Sequence, residues 1–183
     1  MIFSSNAKFS SVNLYFQDES RFGLFTRNGK ALTAKGVQPI CPYQQVFESL
    51  YLFGAFSPID GDMFLIEADC CNANVFQAFL DNLSLHRPDE LKILVLDNGA
   101  FHHAAVLEVP ENIGLIFIPP YSPELNPAEC IWKNLKTKFT NLLCTSLADV
   151  STFITNALQS LTPDTVISTC RFPYVFQYLN WTI

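Results

Sequence analysis

Two short, almost uninterrupted apolar runs constrain the fold of this chain most strongly: residues 91–96 (LKILVL) and 113–118 (IGLIFI). A turn sequence follows each run directly, Asp97-Asn98-Gly99 after the first and Pro119-Pro120 after the second. Strands without polar alternation are covered on both faces, as central strands between two layers of helices are. The sequence therefore predicts an α/β fold.

The remaining segments complete a mixed sheet. Residues 12–18 (VNLYFQD) alternate as a strand, and Asp18 ends that strand on its apolar face. Residues 21–26 could form a short second strand, and residues 46–56 and 63–68 read as two strands around a turn. Helical patterns cover residues 72–85, 100–108 and 126–140, the last with Asn126 as N-cap. We predict a central mixed five-stranded sheet flanked by helices.

The length of 183 residues and the apolar content of 49% fit one domain with a full core. We expect one domain over residues 1–183, with a core at about 12–140 and a helical, then aromatic, tail at 146–183. No apolar run is long enough to span a bilayer, and the start does not resemble a signal peptide. We therefore expect a cytoplasmic protein that does not interact with membranes, with its six cysteines as free thiols rather than disulfides.

Three acids stand at special places in this pattern. Asp18 and Asp97 end predicted strands, and Glu129 lies in the first turn of a predicted helix. Strand ends meet at one edge of an α/β sheet, so the three carboxylates can share a small site. Clustered carboxylates repel one another unless a cation neutralises them, and hard oxygen ligands favour Mg²⁺ or Mn²⁺. Two such ions suit in-line displacement at a phosphodiester.

Each acid also has a plain structural interpretation. Asp97-Asn98-Gly99 is a good turn sequence, so Asp97 could simply close a turn. Glu129 could reach back to cap its own helix, and Asp18 with Glu19 could be an ordinary turn pair. The constellation is more specific than its members, because independent turns need not place all three acids at sheet ends.

The stretch of residues 94–136 (LVLDNGAFHH…IFIPPYSPELNPAECIWKNLK) resembles the catalytic core of DDE transposases. It is most similar to bacterial insertion-sequence transposases of the Tc/mariner superfamily, and residues 15–24 (YFQDESRFGL) resemble the first catalytic strand of that family. The resemblance implies an RNase H-like fold that cuts and joins DNA at transposon ends. It matches Asp18, Asp97 and Glu129 to the three catalytic, metal-binding acids.

Two departures from the family pattern stand out. The interval from Asp97 to Glu129 is slightly shorter than usual, which a trimmed loop near residues 108–112 would absorb. Asp18 also lies too near the start to leave room for the helix-turn-helix modules that normally precede the core. The chain could be a separately encoded catalytic half with a helix-turn-helix partner, a shortened piece or a degenerate copy.

Basic residues point to DNA despite a net charge of −6. Seven of the eleven bases fall in two windows without acids, residues 20–47 and 130–148, although a solvated surface could produce the same pattern. The expected DNA-binding residues are Arg21, Arg27, Lys30, Lys35, Lys133 and Lys136. The alternatives are a solvated loop for the first four and surface Glu–Lys pairs with Glu129 for the last two.

Two accessory candidates complete the predicted site. Asn98 could orient a ligand or close the turn. His102 could position DNA or metal-bound water, although a position on a helix surface is the stronger expectation. We expect a nucleoid-associated homodimer, because the mean hydropathy of +0.20 leaves apolar surface to cover and two ends must be brought together. The alternatives are an RNase H-like nuclease without strand transfer and an inactive DNA-binding or scaffold relic.

Overall fold

A computed structural model of the chain describes residues 8–30, 32–40 and 42–174. It contains five strands and four helices, in an order that confirms the predicted α/β class. These are β1 (Ser11–Gly23), β2 (Ser49–Phe56), β3 (Met63–Ala68), α1 (Ala73–Leu85), β4 (Glu90–Leu96), β5 (Ile113–Phe117), α2 (Ala128–Phe139), α3 (Leu147–Leu158) and α4 (Pro163–Cys170).

The strands form one mixed sheet in the order β3-β2-β1-β4-β5. β1 is antiparallel to β2 and parallel to β4, so it lies where the two kinds of pairing meet. The prediction that this strand ends at Asp18 is wrong. β1 continues to Gly23, because Asp18 pairs with Gly54 and the ladder with β2 continues through Gly23. The separate short strand expected over residues 21–26 does not form: residues 21–23 are the end of β1, and residues 24–26 lie beyond it.

The sheet buries a different cluster on each face. Phe16, Phe22 and Val95 pack with α2, α3 and α4 on one face. Tyr15, Phe53 and Leu94 pack with α1 on the other face. Alternate residues of β1 thus point to opposite layers, as strand geometry requires. Covering on both faces explains why β4 and β5 lack polar alternation.

Two of the three helix predictions are correct in place and differ at their ends. Asn72 caps α1 by accepting the Val75 N–H at 3.0 Å. α2 begins at Ala128 with Pro127 in the cap position, so the prediction of Asn126 as N-cap is wrong by one residue. The helix expected over residues 100–108 is only a 3₁₀ turn, Ala100–His103.

The tail and the cysteines agree with the sequence pattern where they are described. The helices α3 and α4 occupy the part of the tail that was expected to be helical. The later aromatic residues Phe176, Tyr178 and Trp181 lie outside the described residues, as does Cys41. The other five cysteines are free thiols. In the described part of the chain, no helix is both long and apolar enough to cross a bilayer.

Candidate active site

The register between β1 and β4 places Asp18 beside Asp97. β4 ends just before Asp97, whereas β1 continues past Asp18. The parallel ladder aligns Phe16 with Val95, so the same register, continued by two residues, brings Asp18 level with Asp97. Neighbouring strands are about 4.8 Å apart. Val95 and Phe16 face the α2 layer, and alternation sends Asp18 and Asp97 to that same face. Asp18 therefore lies within β1, level with the end of the neighbouring strand β4, and not at the end of its own strand as predicted.

Asn126 connects α2, which contains Glu129, to β1. The Asn126 Nδ2 donates to the carbonyl oxygen of Gln17 at 2.8 Å, and its Oδ1 accepts the Ala128 N–H at 3.1 Å. Asn126 is buried, so these two bonds fix the first turn of α2 against the residue before Asp18. The capping box considered for Glu129 does not form, since Pro127 occupies the cap position and makes no side-chain cap bond.

One cavity of about 620 Å³ brings the three predicted acids together. Asp18, Asp97 and Glu129 all line it, together with Asn98 and the proline-rich segment before α2. Asp97 and Glu129 are exposed to solvent, whereas the Oδ2 atom of Asp18 is buried. The cavity is thus lined by one carboxylate with a buried oxygen and by two exposed carboxylates.

The carboxyl group of Asp18 has a strongly raised pKa. Burial raises its pKa to about 8, and the negative charges of Glu129, Glu19 and Asp97 add to that effect. Its Oδ2 has no hydrogen-bond partner. A buried carboxylate oxygen without a partner is unfavourable in an anion, so this position gains from a cation or a proton.

The donor set fits a hard divalent cation in its chemistry. All three side chains offer carboxylate oxygens, the ligands that Mg²⁺ and Mn²⁺ prefer, and one buried oxygen lacks a partner. Within the described ranges, however, no three His, Cys, Asp or Glu side chains form a ready-made metal site. A bound cation would therefore have to draw these carboxylates closer to one another.

A basic groove of about 570 Å³ adjoins the acidic cavity. Arg27, Lys133 and Lys136 line it, and it shares Pro123, Asn126 and Glu129 with the cavity. Arg27 reaches the helix because its carbonyl oxygen accepts the Asn141 N–H at 3.0 Å. Burial and the Arg27 charge lower the pKa of Lys136, while Glu129 and Asp18 oppose that change. Three of the predicted DNA-binding residues thus share one surface.

The other three predicted cations lie apart from both cavities. Arg21 is exposed on β1, where it donates to Ser49 Oγ at 2.8 Å and to the carbonyl oxygen of Phe47 at 3.3 Å. Lys30 and Lys35 are exposed on the long loop after β1. The structure therefore separates Arg27 from the three cations that surround it in the sequence.

The expectation that His102 lies on a helix surface is wrong. Its side chain is only 1% exposed, and its ring nitrogens face Glu19 and Asp97. His103 is the exposed residue of the pair, and its Nε2 lies 2.5 Å from Asn98 Oδ1. Asn98 Nδ2 also donates to the carbonyl oxygen of Ile118 at 3.4 Å, which fits the turn-closing interpretation.

Glu19 is the site residue that sequence reasoning missed. It follows Asp18 on β1 and faces the opposite layer, where its side chain is only 12% exposed. The signal was present in the alternation: position 19 belongs to the buried stripe of residues 13, 15 and 17, so its carboxylate needs a partner. That partner is His102, which lies 83 residues away, so the alternation of residues in β1 cannot identify it.

Residues 13–153 match the family model described as DDE superfamily endonuclease. A curated relative in Sinorhizobium fredii (strain NBRC 101917 / NGR234), the uncharacterized protein y4pE/y4sA, is 36% identical over 87 residues. That match covers 47% of this chain and 64% of the relative.

The solved structures that resemble the chain include complexes of Mos1 transposase. The pre-cleavage Mos1 transpososome has a TM-score of 0.68 at 15% identity and covers 87% of this chain and 52% of that one. The Mos1 mariner paired end complex with Mn has a TM-score of 0.65 at 17% identity, with 87% and 52% covered. The chain thus spans about half the length of the Mos1 chains. The RNase H-like fold and the resemblance to Tc/mariner transposases are confirmed, and the chain belongs to the DDE superfamily endonucleases.

Proposed function

We propose that this chain is the catalytic domain of a transposase that cuts and joins phosphodiesters at transposon ends. The observation that supports it best is the shared cavity of Asp18, Asp97 and Glu129 beside a basic groove. A phosphodiester seated between the two would have acids at its phosphorus and cations along its backbone. The family match supports endonuclease chemistry at such a site.

We assign Asp18, Asp97 and Glu129 as the residues that hold two Mg²⁺ or Mn²⁺ ions. The chemistry that two such ions supply at a phosphodiester is activation of the attacking oxygen and stabilisation of the leaving oxygen. The chain itself positions the three carboxylates: Asp18 lies on β1, Asp97 follows β4 and Glu129 lies on α2. The hydrophobic core packs these three elements together. The buried Asp18 must lose its proton to bind a cation, so cation affinity rises with pH up to about 8.

The basic groove is the proposed path of the DNA backbone. Arg27, Lys133 and Lys136 would contact phosphates directly, because they line the groove next to Glu129. Arg21, Lys30 and Lys35 would contribute only to the surrounding field, since they do not line it. Phosphate contacts of this kind position the DNA and do not read its sequence.

The proposal extends to the assembly. Mos1 structures are described as paired-end complexes, and we propose that two copies of this chain likewise act on two ends. We propose that a helix-turn-helix module recognises the ends and that the assembly acts on nucleoid DNA in a bacterial cytoplasm. Light scattering with and without end DNA tests the pairing, which is wrong if the chain stays monomeric with DNA bound.

Plasmid nicking in the presence of Mn²⁺ tests the catalytic proposal. The wild type is compared with Asp18→Asn, Asp97→Asn and Glu129→Gln, which keep the size of the side chain and remove one carboxyl group each. Glu67→Gln on the exposed edge strand β3 is the matched control, since it removes a carboxylate outside the cavity. We expect nicking by the wild type and the control, and a loss of at least about a hundredfold in each site variant.

A second arm separates transposition chemistry from simple cleavage. A labelled donor with a free 3′-hydroxyl is incubated with target plasmid, and joined product is measured. Joining supports strand transfer, whereas nicking without joining indicates a nuclease. Equal activity of all five proteins, or none in the wild type over a range of Mn²⁺ and Mg²⁺, contradicts the catalytic proposal and favours a relic that binds DNA or acts as a scaffold.

A further inference from the structure

His102 bridges two carboxylates that belong to different strands. Its Nδ1 lies 3.3 Å from the backbone carbonyl oxygen of Asp97, with hydrogen-bond geometry, and 3.0 Å from Asp97 Oδ1, and its Nε2 lies 3.2 Å from Glu19 Oε1. A carboxylate oxygen only accepts hydrogen bonds, so a ring nitrogen that bears a hydrogen donates towards its carboxylate. The chain of contacts therefore runs from Glu19 on β1, through the imidazole, to Asp97 after β4.

The imidazole is held rigidly between these carboxylates. The rings of Phe76 and Phe101 lie 4.5 and 4.1 Å from the His102 ring, measured between centroids. Gly99 leaves the space that this arrangement needs, because a Cβ there would lie 3.1 Å from Asp97 Oδ1 and 3.2 Å from His102 Nδ1. Packing thus fixes the ring plane, and the ring plane fixes the direction of its Nδ1.

Glu19 is held as firmly as the ring that it faces. Its Oε1 also accepts a hydrogen bond from Gln17 Nε2 at 2.6 Å. A carboxylate that is only 12% exposed is unfavourable unless its hydrogen bonds are made, so Glu19 depends on these contacts. The result is an anchored acid behind the imidazole, on the side away from the cavity.

Asp97 is the member of the cavity that most needs such support. Its side chain is 53% exposed and lies beyond the last residue of β4. Its Oδ1 accepts the Gly99 N–H at 2.9 Å and lies 3.0 Å from His102 Nδ1. Both contacts engage Oδ1, which leaves Oδ2 for a ligand in the cavity. An exposed carboxylate without these contacts would sample several rotamers, and ordering it would weaken ligand binding.

We propose that Glu19 and His102 are positioning residues that hold the Asp97 carboxylate in the orientation that binds a divalent cation. The inference rests on the proposed function, because it assumes that Asp97 is a metal ligand. Neither positioning residue touches the cation. Partners of this kind behind a metal ligand change metal affinity by about 10- to 100-fold when they are removed.

Titration of Mn²⁺ by calorimetry, without DNA, tests this inference. The proteins are the wild type, Glu19→Gln, His102→Gln, the double variant and Asp97→Asn, each with its melting temperature recorded. We expect Glu19→Gln and His102→Gln each to weaken Mn²⁺ binding about tenfold, and the double variant to lose little more than either single one. A merely structural role would lower the melting temperature without changing Mn²⁺ affinity in the folded protein.

Two controls separate positioning from general effects. His103→Gln removes the adjacent exposed imidazole and should leave Mn²⁺ affinity unchanged. Glu124→Gln removes a carboxylate from the neighbouring groove, so it measures the effect of lost charge alone. Glu19→Gln keeps the shape of the side chain, which provides a folded variant if His102→Gln does not fold.

The Mn²⁺ titrations distinguish a failure of the positioning role from a failure of the proposed function. Unchanged Mn²⁺ affinity in folded Glu19→Gln or His102→Gln overturns the inference, as do losses that add fully in the double variant. In either case weakened binding by Asp97→Asn would leave the proposed function standing. Wild-type affinity in Asp97→Asn would overturn the proposed function and, with it, the inference.

Discussion

Replacement of Asp18 by asparagine should stabilise the folded chain at neutral pH, although it removes a proposed metal ligand. Burial and the charges of Glu129, Glu19 and Asp97 raise the pKa of Asp18 to about 8 from its ordinary value of 3.8. The folded chain therefore retains a proton that the unfolded chain has released. Between pH 4 and pH 8 the free energy of unfolding falls as pH rises, and above pH 8 this effect is complete.

The size of the expected change in stability follows from the difference between the pKa values of Asp18 in the folded and unfolded chain. One pKa unit corresponds to about 1.4 kcal/mol, so at pH 7 the buried carboxyl costs the fold up to about 4 kcal/mol. The asparagine amide occupies the same enclosed space, where Asp18 Oδ2 has no partner, and an unsatisfied polar group costs about 1–3 kcal/mol. The net gain expected for Asp18→Asn at pH 7 is therefore about 1–3 kcal/mol. At pH 4 the electrostatic contribution is nearly absent, so the variant should be less stable than the wild type by about 1–3 kcal/mol.

Urea unfolding at pH 4, 5.5, 7 and 8, followed by far-ultraviolet circular dichroism, measures this difference. Other groups titrate in both proteins, so the informative quantity is the difference between wild type and variant at each pH. Glu67→Gln should show no such trend, because Glu67 is exposed. A variant that is less stable than the wild type at pH 7, or a difference that does not change with pH, refutes the electrostatic reasoning.

Three other substitutions have definite expected outcomes. Gly54→Ala should destabilise the fold by about 1–3 kcal/mol in urea unfolding, because its Cβ would meet the Trp132 ring at 2.8 Å; unchanged stability contradicts the packing. Asn126→Ala should cost about 1–3 kcal/mol, through loss of its bonds to Gln17 and to the first turn of α2. Lys136→Gln should reduce the dependence of log affinity for DNA on log salt by about one, whereas an unchanged slope would place Lys136 away from the phosphates.

The sheet and the three acids were within reach of sequence reasoning because they depend on local patterns. The apolar runs of β4 and β5 show burial on both faces, and the turn after β4 places Asp97 at a strand end. The length of β1 was not predictable in this way, since its polar residues from Gln17 to Arg21 interrupt the apolar alternation. Backbone pairing with β2 keeps that segment extended, and side-chain patterns do not report backbone pairing.

The parts of the site that sequence reasoning missed depend on contacts between distant segments. The burial of His102 is produced by Phe76 on α1 and by the Glu19 carboxylate, neither of which is near it in the sequence. Arg27 joins Lys136 only because the loop after β1 bonds to Asn141 beyond the end of α2. A charge window in the sequence cannot separate Arg27 from Lys30 and Lys35, because all three occupy one irregular loop.

The central claim is that Asp18, Asp97 and Glu129 together hold divalent cations. The most direct measurement is an anomalous difference map from crystals grown with Mn²⁺. We expect anomalous peaks within coordination distance of all three carboxylates. Peaks that involve none of the three, or a well-ordered cavity that stays without a peak at saturating Mn²⁺, would contradict it.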